Sequence, residues 1–346
     1  MITNREQQLI DFVKEYGASS SKELFDEFSE NYSYATLKRT LSKLVAEKYF
    51  STTGKGKSTK YNLSPVFEVL QPIDMEDYFK NEIDERRIRK DFNFSVITDV
   101  LSSHSIFSSS ELLKLNQLQE VFKKNISLLT ESEYLKEFER LAIDLSWKSS
   151  QIEGNTYSLL ETEKLLKEKE TAKGKTKNEA VMLLNHKEAI DFIVANPTYI
   201  NPLSVSKIED IHSILTKELE IERNVRKKRV GISGTNYRPL DNQFQLKEAL
   251  QYACDTINKK DNVFEKALLT LVFLSYIQPF MDGNKRTERI VSNAILMNAK
   301  YCPLSYRTVD SIEYKKAMLL FYEQNNISNI KDIFIHQFEF AAQTYF

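Results

Sequence analysis

The sequence predicts a mainly α-helical protein built as two domains, and three observations carry that expectation. Glycine and proline are scarce, 8 and 7 in 346 residues, which leaves few breakers for long helices. Apolar residues recur at helical spacing through most of the chain. Strand-like alternation is confined to Tyr49–Thr53, Ser58–Leu63 and a short glycine-bearing stretch at 229–239. At 346 residues the chain is long for one domain, so two domains with connecting helices are the natural expectation.

Composition narrows the classes. Lysine plus arginine number 48 against 49 acids, a net charge of −1, so no global field points to nucleic acid or membrane and any such argument must be local. Cys254 and Cys302 are too few for a disulfide framework or a zinc cluster. The start, Met1 to Glu6, has no apolar stretch of a signal peptide. The longest apolar run, Ala267–Ile277, is far short of the roughly 20 residues a bilayer needs. It is expected to be a buried helix, in a soluble, cytoplasmic protein with no membrane partner.

Residues 1–63 form the first expected domain. Leu9, Ile10, Phe12 and Val13 mark one helical face that ends at Gly17. Ser19–Ser21 offer caps for a short second helix through Leu24, Phe25 and Phe28. A third opens at Asn31-Tyr32-Ser33, with Leu37, Leu41 and Leu44 inward. Two strands joined by Gly54-Lys55-Gly56-Lys57 follow. Three helices and a glycine-lysine hairpin resemble a winged helix-turn-helix. Lys38, Arg39 and Lys43 on the third helix and Lys55 and Lys57 on the wing give it a basic face, and acids gather on the first two helices. That asymmetry suits DNA, with a helix in the major groove and a wing on phosphate. Protein contact or dimerisation is the alternative use of the same fold.

Residues 64–130 read as a helical linker region, in which Glu82–Lys90 is expected to be a solvated mixed-charge helix and Ser102–Ser110 a loop. The helix that follows, about 138–154, ends in Ser149-Ser150-Gln151-Ile152-Glu153-Gly154, where Gly154-Asn155 is a good stop. An acid in the last turn sits at the wrong end of the helix dipole and calls for a cationic partner. At 229–239 the glycines and alternation predict a β-hairpin containing Gly231, Ile232, Gly234 and Tyr237. The helix at 267–277 must stop at Pro279, and a new one begins near Asn284 after a glycine turn. Backbone N–H groups at such a start surround an anion well. The aromatic helices from Tyr306 to Phe346 either close the core or make a dimer face.

The segment Gln278-Pro279-Phe280-Met281-Asp282-Gly283-Asn284-Lys285-Arg286-Thr287-Glu288-Arg289 resembles the signature of the Fic family, HPFxDGNGRxxR. Most members transfer AMP from ATP to a protein hydroxyl. The resemblance implies an all-α core at 131–346 with ATP and Mg²⁺ as cofactors. It implies that Phe280 anchors the loop, Asp282 holds the metal, and Gly283, Asn284, Lys285, Arg286 and Arg289 surround the nucleotide phosphates. The string Ser149-x-x-x-Glu153-Gly154 resembles the family's inhibitory helix motif, in which the glutamate pairs with the last signature arginine, here Arg289. The 229–239 hairpin resembles the flap that aligns a target segment by strand addition.

Two positions depart from the signature. Gln278 stands where the family has its catalytic histidine, and a glutamine cannot accept a proton at neutral pH. Lys285 stands where the second glycine belongs, as in the Doc-like branch whose members phosphorylate. His212 and His186 are expected to be core or surface histidines rather than substitute bases. Two functions therefore stand. One is a protein adenylyltransferase, restrained by Glu153 and weakened by Gln278, acting on a Ser, Thr or Tyr hydroxyl of a target or of itself. The other is an inactive relative that regulates transcription through its winged helix and senses nucleotide or peptide. A homodimer is left open.

Overall fold

Hydroxyl residues set the helix starts of the N-terminal unit. In the computed structural model, which describes residues 3–346, Thr3 caps α1 (Asn4–Tyr16), Ser20 caps α2 (Ser21–Phe28) and Ser33 caps α3 (Tyr34–Ala46). Each side-chain oxygen accepts a backbone N–H that the first turn leaves unpaired. The short β1 (Ser19–Ser20), β2 (Phe50–Thr53) and β3 (Lys60–Leu63) form an antiparallel sheet in the order β1-β3-β2. Gly54 turns the wing at φ +77°, where an added Cβ would lie 2.3 Å from the Ser58 carbonyl oxygen, so only glycine fits. Leu9, Ile10 and Val13 of α1 meet Leu24, Leu37, Leu41, Leu44, Phe50 and Tyr61 in one core. This is a winged helix. Its β1, two residues long, gave no alternation to read. A short α4 (Pro65–Leu70), capped by Ser64, follows.

The contacts of the chain divide at Pro72/Ile73. The second unit contains the short α5 (Met75–Tyr78) and α6 (Leu101–Ser103), then α7 (Ser109–Ser127), α8 (Glu131–Ile152), α9 (Leu159–Glu168), α10 (Lys177–Ala195) and α11 (Val205–Leu215). It closes with α12 (Gln243–Lys259), α13 (Val263–Ile277), α14 (Asn284–Asn298), α15 (Ser311–Gln324) and α16 (Ser328–Thr344). Every residue of α13 from Ala267 to Ile277 is buried, as a helix that is apolar all round requires. It packs along α14 and against α12 and α15. Residues 73–130, expected as a region between domains, belong to this unit, with α7 lying on α16. Among the described residues no helix is long and apolar enough to cross a membrane.

Two local expectations fail for one reason: tertiary partners take the backbone groups that a regular element needs. Residues 82–90 form turns and extended chain, not a solvated helix. Arg89 N–H donates to the Glu323 carbonyl (2.8 Å), and the Arg87 carbonyl accepts from Gln324 Nε2 (2.6 Å). Residues 229–239 form no hairpin. Arg238 N–H donates to the Lys90 carbonyl (2.7 Å) in an isolated bridge, and the Gly234 carbonyl accepts from Arg86 (2.8 Å). Tyr237, expected in a flap, is buried, with its hydroxyl on the Tyr276 carbonyl (3.0 Å).

Arg86 also reaches Glu323 at 3.2 Å, and both side chains are almost fully buried. Removing one partner of a buried pair leaves an uncompensated charge. Arg86→Ala is expected to destabilise the larger unit by about 3–5 kcal/mol in urea unfolding followed by circular dichroism, with part of the loss recovered by adding Glu323→Gln.

Candidate active site

The site begins where α13 stops. Gln278 caps the helix in the left-handed conformation (φ 50°), and Gly283 (φ 81°) starts α14. The loop between them is tied by Asn284, whose Oδ1 accepts from Phe280 N–H (2.8 Å). Its Nδ2 donates to the Phe280 carbonyl (2.8 Å) and to Gln278 Oε1 (3.1 Å). Both ends of this side chain thus shape the loop, and it lines the cavity described below. Phe280 is fully buried and stacks on His212 of α11 with ring centroids 3.6 Å apart. His212 faces two carbonyls, Asp282 through Nε2 (2.9 Å) and Arg223 through Nδ1 (3.1 Å). Burial lowers its pKa, and a neutral ring donates to only one of them. Arg226 clamps the loop from a third side, Nε on the Gln278 carbonyl (2.7 Å).

Glu153 is the C-cap of α8, and its expected partner is in place. Fully buried Arg289 donates Nε to Ser149 Oγ (2.9 Å) and Nη2 to the Ser149 carbonyl (2.9 Å) and Glu153 Oε1 (3.2 Å). Lys285 Nζ lies 3.9 Å from Glu153 Oε2. Burial opposes the arginine's charge, yet Tyr314, Glu153 and Glu288 outweigh it and raise its pKa. Gly154 follows at φ +96°, ending the helix. Nearly two turns before Glu153, Trp147, the only tryptophan, donates Nε1 to the Tyr157 carbonyl (3.1 Å).

A cavity of about 390 Å³ opens beside this pair, lined by Glu153, Gly231, Ile232, Gln278, Asp282, Asn284 and Lys285 among others. Its far wall is the face of α15 carrying Lys315, Met318, Leu319 and Tyr322, which sequence reasoning assigned only to the core or a dimer face. Their i, i+3, i+4, i+7 spacing was the available signal. Arg286 and Arg289 do not line the cavity. Arg286 is buried, with Nη1 on the Leu215 carbonyl (3.3 Å) and Nη2 3.9 Å from Asp282 Oδ2. His186 is fully buried, with no partner for either ring nitrogen, and burial then Arg289 and Arg286 push its pKa well down. It too is absent from the lining, so neither histidine replaces Gln278.

The Asp282 side chain is 69% exposed, its Oδ1 accepting only from the next N–H (2.6 Å). Among the described residues no group of three His, Cys, Asp or Glu could hold a metal. One exposed carboxylate fits Mg²⁺, which takes most of its ligands from water and phosphate, and does not fit an all-protein metal cage. In the N-terminal unit Arg39, Lys55 and Lys57 are exposed, and Lys38 lies over the Tyr34 ring at 5.7 Å. Lys43, on the same helix, pairs with Glu6 at 2.8 Å and keeps 44% of its side chain exposed.

Residues 202–296 match the Fic/DOC family and residues 2–119 the penicillinase repressor family. The chain is 31% identical over 202 residues to protein adenylyltransferase Fic of Nematostella vectensis, covering 54% of this chain and 43% of that protein. It is 23% identical over 187 residues to protein adenylyltransferase fic-1 of Caenorhabditis elegans, covering 53% and 35%. The chain thus spans less than half the length of these curated relatives. The solved structure of C. elegans Fic-1 superposes with a TM-score of 0.60 at 18% identity, over 68% of this chain and 72% of that one. A Fic family protein from Desulfovibrio desulfuricans gives 0.59 at 17% identity, over 68% and 74%.

Ser149→Ala removes one hydrogen bond from a buried guanidinium while leaving Glu153 in place. It is expected to cost the larger unit about 1.5–3 kcal/mol of stability, measured by urea unfolding.

Proposed function

We propose that this chain, which carries a Fic/DOC family domain and an N-terminal winged-helix domain, is a protein adenylyltransferase restrained by the end of its own α8. The observation that carries the reading is the capture of Arg289 by Ser149 and Glu153 beside a cavity containing Asp282, Lys285 and Gln278. A buried arginine so held is unavailable to a phosphate, and Lys285 is drawn toward the same carboxylate. Releasing Glu153 would return both cations to an incoming nucleotide.

The substrate would be ATP and a hydroxyl of a target protein or of this chain. Asp282 would hold Mg²⁺, which offsets phosphate charge as pyrophosphate leaves. The first N–H groups of α14, Lys285 and the freed Arg289 would bind the phosphates. Gln278 orients a hydroxyl but accepts no proton at neutral pH. The loss of general base assistance is worth about 10²–10⁴-fold, so slow transfer is expected.

A second reading is favoured by one observation: the Gln278 amide is engaged at both ends, Nε2 on the Ser275 carbonyl (2.7 Å) and Oε1 on Asn284 (3.1 Å). On that reading the domain senses nucleotide for a DNA-binding winged helix presenting Lys38, Arg39, Lys55 and Lys57.

The test compares the wild type with Glu153→Gly, using ATP labelled at the α- or the γ-phosphate, with Mg²⁺ and candidate protein targets. α-Label is expected on protein, rising at least about tenfold in the variant and abolished by adding Asp282→Ala. γ-Label alone would make the chain a kinase. No label from either position, with ATP binding intact, would leave the sensor reading. In that case ATP should shift DNA affinity, and Lys38→Glu with Arg39→Glu should abolish DNA binding.

A further inference from the structure

The cavity beside Arg289 has a hydroxyl of its own. Among the residues that line it, only Ser233 and Tyr322 carry one. Tyr322 is fully buried, and its hydroxyl is hydrogen-bonded to Ser275. Ser233 is exposed, and no hydrogen bond to another described residue holds its side chain. It shares the cavity with Asp282 and Lys285. The hydroxyls that follow it in the chain are engaged elsewhere. Thr235 Oγ1 accepts from Tyr237 N–H (3.0 Å), and Tyr237 donates its hydroxyl to the Tyr276 carbonyl (3.0 Å).

The segment that carries Ser233 is tied down on both sides of it. Upstream, Arg226 Nη1 donates to the Lys228 carbonyl (2.8 Å), and Arg229 pairs with Asp241 (2.7 Å). Downstream, the Gly234 carbonyl accepts from Arg86 (2.8 Å), and Asn236 Nδ2 donates to Asp84 (2.9 Å). Gly234 lies so close to α15 that an added Cβ would meet Leu319 Cδ1 at 3.2 Å. Between these ties, residues 230–233 line the cavity, and a Cβ added at Gly231 would meet nothing within 4 Å. The stretch is thus short but adjustable. An acceptor held in this way turns a bimolecular encounter into an intramolecular one, an advantage that reaches about 10⁵ M or more for well-oriented groups. Even a small part of it offsets the about 10²–10⁴-fold lost with the histidine. A site without a base is therefore biased toward the hydroxyl it already holds.

We propose that Ser233 is the first acceptor of AMP, modified in cis by the cavity it lines, and that the adduct then closes the site. This rests on the adenylyltransferase reading, with ATP as the donor, so its test must separate the two. Ser233 Oγ bonds to the α-phosphorus while the bond from that phosphorus to the bridging oxygen breaks, and pyrophosphate leaves with the electron pair. The serine proton passes to water, which reaches this exposed side chain. The product is a phosphodiester that tethers AMP to residue 233. The tethered nucleotide stays in the cavity, where it excludes the next ATP and covers the segment against which a target would align. Self-modification is in this sense a second restraint, set once that of Glu153 is released.

The experiment incubates the full chain carrying Glu153→Gly with α-labelled ATP and Mg²⁺, first with no other protein present. Peptide fragmentation by mass spectrometry is expected to place AMP on Ser233 and not on Thr235 or Tyr237. Labelling should stop at a single AMP per chain, with a first-order rate constant unchanged over about a 10²-fold dilution. Ser233→Ala should lower self-labelling at least about tenfold with ATP affinity retained, and Ser233→Thr should restore it at the same position. Thermal melts of each variant report folding separately. Label on another residue of the chain, or a rate constant proportional to protein concentration, would overturn the proposal. So would a loss in Ser233→Ala that tracks lost ATP binding, which is what a role confined to holding nucleotide predicts. Adding Gln278→His to the same background should speed labelling of the same serine. If that variant labels only an added target protein, the self-modification is wrong and the site reading stands. If neither variant labels anything, the adenylyltransferase reading falls and takes the self-modification with it.

Discussion

A guanidinium with no exposure to water has to be neutralised by its surroundings, and Arg289 organises two neighbouring helices by that need. α8 must deliver the Ser149 carbonyl, the Ser149 hydroxyl and Glu153 to it, and α15 must place the Tyr314 ring beneath it at 5.4 Å. Removing any of these leaves a charge in a medium that solvates it poorly. The same requirement places a carboxylate at the C-terminal end of a helix, where the dipole disfavours it. Local cost at Glu153 is offset by the charge it meets.

The loop at the start of α14 depends on a second constraint, backbone geometry. Two successive reversals, at Gln278 and Gly283, must hold without a strand or disulfide to brace them. Asn284 braces them from within, His212 from below through its stack on Phe280, and Arg226 from the side. An added Cβ at Gly283 would lie 3.3 Å from His212 Nε2, so the positive φ and the close approach of the histidine both ask for glycine. Gln278 in the left-handed region has no such excuse. Its amide hydrogen bonds to Ser275 and Asn284 hold it there.

Features with a local cause were legible in the sequence. Capped helices, the glycine wing and the fully apolar α13 each follow from residues close together in the chain. The Glu153–Arg289 pair spans 136 residues, and was reachable because both members sit in short patterns that share one partner logic. Features set by distant contacts were not legible. Nothing near Glu82–Lys90 says that Arg86 finds Glu323, or that the backbone there answers to α15 rather than to itself. The hairpin expected at 229–239 failed on the same account. The pattern of alternation was present, but Tyr237 points into the core, and Arg238 pairs with residues far back in the chain. The α15 wall of the cavity was hidden differently: its face looks like core because most of it is core.

The placement of Trp147 carries a practical consequence. The single indole lies on α8 less than two turns before Glu153, and its N–H is fixed on the Tyr157 carbonyl just beyond the helix end. The winged-helix unit contains no tryptophan at all. Intrinsic fluorescence excited at the indole band is therefore silent about the N-terminal unit and reads the environment of one helix terminus. Movement of α8 away from Arg289 changes the polarity and hydrogen bonding around that ring. The chain thus carries its own optical probe of restraint and release, with no dye or label required.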